Sequence, residues 1–261
     1  MKWPESLTVV RHGESAYNAL KAAKQANPTY QEFLEAYEDR RQDPDRARAL
    51  AHALLDDETM VLNCGDHDTP LTERGLEQSR KTGKNLSKLI KLPDVIFVSP
   101  YDRTNQTLDA MAIGWPELRA VKTVEEERLR EQEHGLALLY NDWRIFHVLH
   151  PEQEKLYDKN GPYWYRYPQG ESVPDVRERN RSWLVTTTRD YHEQNVLAVT
   201  HHLLKLSLRA NLERLGADEF QRLDQEEKPI NGGVTIYRGH PELGRDNEGK
   251  LLLDLYNEKL Y

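Results

Sequence analysis

Three short apolar runs, each breaking at once into polar residues that open a helix, constrain this chain more than any other feature. Leu7-Thr8-Val9-Val10 runs into Arg11-His12-Gly13-Glu14-Ser15, and Val95-Ile96-Phe97-Val98 into Ser99-Pro100 and a helix starting near Arg103. Asn195-Val196-Leu197-Ala198-Val199 runs into Thr200-His201-His202. Short apolar runs bounded in this way read as strands buried on both faces, and such strands belong to parallel sheets covered by helices. The expectation is an α/β fold: a mostly parallel central sheet with helices on both faces. In open sheets of this kind ligands bind at the C-terminal edge, where the connections form a crevice beside helix N-termini. All three runs deliver Arg or His to that edge.

Between the first two runs the pattern is helical. Asn27-Pro28 and Asp43-Pro44 each place a capping side chain before a proline suited to the first helical position. Tyr30, Phe33, Leu34 and Tyr37 then share one face, and Ala47, Leu50, Ala51, Leu54 and Leu55 another. A helical hairpin over residues 27–57 follows, with its apolar stripes expected on the rim of the main domain. Thr72 caps a further predicted helix reaching Ile90, with Leu76, Gly83, Leu86 and Ile90 toward the core. Residues 173–191 read as a helix, and 234–237 and 251–256 as late strands forming a hairpin across a polar loop. The expected organisation is one domain over 1–261, with a helical insertion at about 19–66 after the first strand. An aromatic-rich stretch at about 136–170 is a lid candidate, or else a set of rings covering core.

Composition narrows the function. Thirty-six basic against forty-four acidic side chains give a net charge of −8, which argues against a broad basic surface for nucleic acid. An anionic substrate would need a locally basic pocket. No apolar run approaches the roughly twenty residues of a membrane span, and the first residues show no leader pattern. Cys64 is the one cysteine, so disulfides and cysteine-rich metal sites are not expected, and a reducing cytoplasm is the simplest compartment. Neither nucleic acid nor a membrane is expected as a partner.

Arg11, His12, Arg103 and His201, brought to one sheet edge, would form a compact pocket of N–H donors suited to phosphoryl oxygens. A neutral imidazole is also a nucleophile at phosphorus, so His12 could take the phosphoryl group while the arginines balance its charge. The leaving oxygen then needs a proton, and water must later lose one; a single carboxyl group can serve both steps. The bland alternatives are a loop histidine at 12, a helix cap at 201 and a solvated acidic run at Glu125, Glu126 and Glu127.

Leu7 to Asn18, LTVVRHGESAYN, resembles the opening strand and RHG motif of the histidine phosphatase superfamily, the phosphoglycerate mutase-like proteins. Thr69 to Gly75 is similar to that family's PLTxxG helix start, Ser99 to Thr104 to its SPxxR segment, and Leu129 to Gly135 to its LxE…G segment. Tyr167 to Ser172 resembles its PxGES turn, and Val199-Thr200-His201 its second-histidine strand end. The resemblance implies His12 as the phosphorylated nucleophile, Arg11, Arg103 and His201 as phosphate ligands, Glu131 (rather than Glu133) as proton donor and acceptor, and Ser15 and Asn18 as pocket lining. It implies a small phosphorylated substrate, or a phosphoprotein, as the partner, with no metal and no cofactor. His202 departs from the glycine usual after the second histidine. The stretch after Gly135 does not look like that of the glycolytic mutases, which shifts weight from phosphoryl transfer toward hydrolysis. A fold retained only to bind phosphorylated ligands is the non-catalytic alternative.

Overall fold

The computed structural model describes residues 2–244 and 249–261. In chain order the elements are β1 (Ser6–Arg11), α1 (Ala16–Lys24), α2 (Pro28–Glu38), α3 (Pro44–Asp56), α4 (Glu73–Leu86), β2 (Val95–Val98), α5 (Asp102–Gly114), β3 (Lys122–Glu125), α6 (Trp143–Leu149), α7 (Pro151–Trp164), α8 (Val173–Asp190), β4 (Asn195–Thr200), α9 (His202–Glu213), α10 (Ala217–Glu226), β5 (Val234–His240) and β6 (Lys250–Glu258). Two compact units form: Met1–Ser15, Pro70–Gln132 and Asp175–Tyr261 make the first, Ala16–Thr69 and Glu133–Pro174 the second.

The first unit is built on a six-stranded sheet in the order β3-β2-β4-β1-β5-β6. β3, β2, β4 and β1 are mutually parallel, while β5 runs antiparallel to both β1 and β6. The three apolar runs are the three central parallel strands, as their continuous hydrophobicity requires. Alternate residues serve opposite faces: Leu7, Val9, Val95, Phe97, Val196 and Ala198 pack with Val176 and Trp183 of α8 and Leu204 of α9. Val10, Ile96, Val98, Leu197 and Val199 pack on the other face with Leu86 of α4 and Met111 of α5. Each Val, Leu, Ile, Phe or Met side chain so buried contributes about 1.5–3 kcal/mol.

Several details differ from expectation. β3 was not foreseen, because its KTVE sequence is largely exposed at the sheet edge and carries no apolar signal. α4 ends at Leu86, four residues before Ile90, and its buried face includes Gln78, Ser79 and Thr82, while Leu76 is only half-buried. The late strands pair as β5 and β6, but part of the polar loop joining them, residues 245–248, lies outside the described residues.

In the second unit the caps are as the sequence indicates: Asn27 accepts from the Tyr30 N–H and Asp43 from the Arg46 N–H. Tyr30, Phe33 and Tyr37 of α2 and Ala47, Ala51 and Leu54 of α3 share a core with Ile145 and Val148 of α6. The hairpin's stripes thus find their cover in the aromatic-rich stretch, where the sequence pattern pointed to the rim of the main domain. That stretch folds as α6 and α7, and its weak periodicity has a cause: Gly161, at φ 76°, kinks α7 immediately before Pro162. No helix among the described residues is long and apolar enough to cross a membrane.

Candidate active site

Strand register assembles the site. Val10 and Val98 both pair with Val199, so the residues that follow emerge side by side. The His12 N–H donates to the Thr200 carbonyl at 2.9 Å, and the Ser99 N–H to the Val199 carbonyl at 3.1 Å. The His12 and His201 rings lie 5.3 Å apart between centroids at 63°. Arg103, at the first turn of α5, stacks its guanidinium 4.7 Å over Tyr101, whose ring is 5.0 Å from that of His201. The Arg11 Nη1 donates to the Pro229 carbonyl at 2.6 Å.

The turn after β1 is pressed directly onto the start of α4. A Cβ on Gly13 would fall 2.4 Å from the Gly75 carbonyl oxygen, and one on Gly75 would fall 2.1 Å from the Glu14 carbonyl oxygen. The two glycines are therefore required by one close approach. Polar side chains of α4 and α5 hold the turn: Gln78 accepts the Glu14 N–H at 3.0 Å and Thr107 the Gly13 N–H at 3.0 Å. This is why α4 buries polar residues on the face that reaches the turn. Ser15 is buried and bridges to Leu71. Asn18 lies on α1, in the second unit.

Hydrogen bonding assigns roles to the ring nitrogens. His12 Nδ1 lies 2.7 Å from the Gly13 carbonyl, which can only accept, so Nδ1 carries the proton and Nε2 the lone pair. His201 Nε2 lies 2.8 Å from Ser99 Oγ. A hydroxyl donating there leaves the proton on His201 Nδ1, which is buried without a partner among the described residues, as is Arg11 Nε. Buried donors left unsatisfied cost about 1–3 kcal/mol each, so they mark places where an acceptor is expected. Burial, reinforced by Arg11 and Arg103, pushes His12 well below the usual imidazole range; burial, Arg103 and His12 do the same to His201. Burial also lowers Arg11 to about 10. Two neutral imidazoles beside two guanidiniums make an electropositive, largely desolvated cluster at the sheet edge.

Glu131 arrives from the loop after β3. Its carboxylate accepts from the His202 N–H at 3.0 Å and from the Leu203 N–H at 3.1 Å. His201 occupies the cap position of α9 but makes no side-chain cap bond; a carboxylate from seventy positions earlier in the chain caps the helix instead. The His202 ring turns to Asp224 of α10, with Nε2 and Oδ1 2.7 Å apart, while its backbone N–H serves Glu131. Glu133 belongs to the second unit, where its N–H donates to Glu171 of the PxGES turn at 3.1 Å. Ser99, Gln78 and Thr107 were not singled out from sequence; only Ser99 sat inside a recognisable motif.

Comparison with known proteins agrees with this architecture. The profile of the histidine phosphatase superfamily (branch 1) matches residues 51–248, which takes in five of the six motifs and leaves the RHG turn upstream. The phosphoglycerate mutase-like protein AT74H of Arabidopsis thaliana is 30% identical over 179 residues, 61% of this chain and 61% of that protein. Its companion AT74 is 26% identical over 274 residues, covering 98% of this chain and 71% of the relative. A mycobacterial glucosyl-3-phosphoglycerate phosphatase solved with inorganic phosphate superposes with a TM-score of 0.61 at 19% identity, over 98% of each chain. With the family profile spanning most of the sequence and the sheet edge carrying these side chains, the chain belongs to the histidine phosphatase superfamily.

Proposed function

We propose that this protein is a phosphomonoesterase that works through a phosphohistidine on His12. One arrangement carries the reading: His12 Nε2 holds a lone pair beside His201 Nδ1 and Arg11 Nε, buried donors without partners among the described residues. A phosphoryl group supplies the acceptor oxygens those donors lack, and its charge offsets the cost of burying the guanidinium. His12 Nε2 attacks phosphorus, the bond to the leaving oxygen breaks, and that oxygen takes a proton from Glu131. The same carboxylate then removes a proton from water as the water displaces His12 and inorganic phosphate leaves. Arg11, Arg103 and His201 hold the transferring group, and Ser15 lines the pocket. Similar proteins named as phosphatases, among them a glucosyl-3-phosphoglycerate phosphatase of similar fold and a phosphoserine phosphatase, support hydrolysis. A cytoplasmic setting suits a chain with a single cysteine.

The test is phosphate release from p-nitrophenyl phosphate by the wild type and by His12→Ala, with protein quenched in alkaline denaturant and probed for bound phosphate that survives base and is lost in acid. Turnover and labelling in the wild type alone are expected. Equal background release from both would leave a phosphate-binding protein. Incubation with 3-phosphoglycerate separates the remaining reading: the 2-isomer without free phosphate would make the protein a mutase.

A further inference from the structure

Glu131 sits in a short non-repetitive turn, and such turns do not hold a side chain to the fraction of an ångström that proton transfer requires. Something must fix it. The backbone of the turn is gripped at three carbonyls by two elements. Thr200, the last residue of β4, donates its hydroxyl to the Leu129 carbonyl at 2.7 Å. Arg179, in the middle of α8, donates from Nη1 to the Arg128 carbonyl at 2.8 Å and from Nη2 to the Glu131 carbonyl at 2.9 Å. One guanidinium thus spans residues 128 to 131, closing the turn as a planar fork whose two ends cannot move independently.

We infer that Arg179 is a positioning residue for proton transfer: its fork sets the backbone of Glu131, and through it the carboxylate seated on the N-terminus of α9. The inference rests on the phosphohistidine reading, since it gives Arg179 a role only if Glu131 exchanges protons with the leaving group and water. Both bonds of the fork end on the turn that carries Glu131, so its loss falls first on the step that needs Glu131, while its charge also reaches His201. Lys at this position would keep the charge but lose the planar fork, reaching one carbonyl well and not both.

Leaving-group dependence reads this directly. An aryl phosphate departs with little protonation, whereas a simple alkyl phosphate needs the acid. For Arg179→Gln we expect kcat/KM to fall roughly tenfold or more on the alkyl substrate and less than about threefold on p-nitrophenyl phosphate. Arg179→Lys is expected to show the same selectivity at smaller size. In a Glu131→Gln background, Arg179→Gln is expected to cost the alkyl substrate nothing further, because the two act through one group. Equal losses on both substrates, or losses that multiply across the double variant, would overturn the inference. Should Arg179→Gln show no cooperative melt, Arg179→Lys decides on the same criterion. A wild type that turns over neither substrate, and so matches His12→Ala, removes the phosphatase reading and this inference together; normal wild-type turnover with unselective loss removes this inference alone.

Discussion

His147 makes the folded protein acid-sensitive in a way that can be calculated. It lies in α6, fully buried, with neither ring nitrogen partnered among the described residues. Tyr157, Trp143 and Phe146 surround it at 4.8, 5.4 and 5.6 Å between centroids. Burial pushes its pKa down from 6.5 to about 4, with Asp158 pulling up and Arg40 pulling down more weakly. The unfolded chain therefore binds this proton first, so the stability due to a neutral His147 is fully present above pH 6.5 and drains away as pH falls toward 4. The loss is about 1 kcal/mol by pH 5.5 and about 3 kcal/mol once the folded form also titrates. Urea unfolding followed by tryptophan fluorescence at several pH values between 8 and 4 measures it, for the wild type and for His147→Leu. His12 and His201 add acid sensitivity of the same sign, so only the difference between the two proteins is diagnostic. The substitution shifts stability by a constant at high pH, and the gap should then move in favour of the variant by about 1 kcal/mol at pH 5.5. Parallel curves over the whole range would refute the reasoning.

Other consequences follow from single contacts. Gly75→Ala drives a methyl group to 2.1 Å from the Glu14 carbonyl, so the turn carrying His12 must move; a fall of several degrees in Tm together with loss of turnover is expected, and normal activity would contradict the packing argument. Ser99→Ala removes the bond that orients His201, and the affinity for inorganic phosphate, read by calorimetry, should fall about five- to tenfold, in line with one lost hydrogen bond of about 1 kcal/mol. His202→Ala deletes the contact with Asp224 but keeps the backbone N–H on Glu131, so turnover of p-nitrophenyl phosphate should stay within about threefold of wild type if the ring has no chemical part. Because His12 titrates well below 6.5, kcat/KM corrected for ionisation of the substrate should remain flat as pH drops through that value; a decline centred there would mean an ordinary, solvated imidazole.

Much of the architecture is written locally. Continuous apolar runs ending in Arg-His, Ser-Pro and Thr-His mark β1, β2 and β4, because a strand buried on both faces has no polar side to dilute the signal. Thr72, Asn27 and Asp43 announce helix starts because a cap bonds within three residues of itself. The ligand edge of the sheet follows from those two facts, and so do the candidates His12, Arg11, Arg103 and His201. What local pattern does not contain is the partner of a contact made across a hundred residues. β3 pairs at an exposed edge where side chains carry no pattern, and only the backbone ladder with β2 defines it. Nothing near Glu131 states that it will cap α9, and nothing near Arg179 states that it will close the turn at Arg128, since each bond exists only after β3, β4 and α8 have been packed. The hairpin of α2 and α3 announces an apolar face in its sequence but not the α6 that covers it, because a hydrophobic surface specifies burial and leaves the choice of cover to the whole fold.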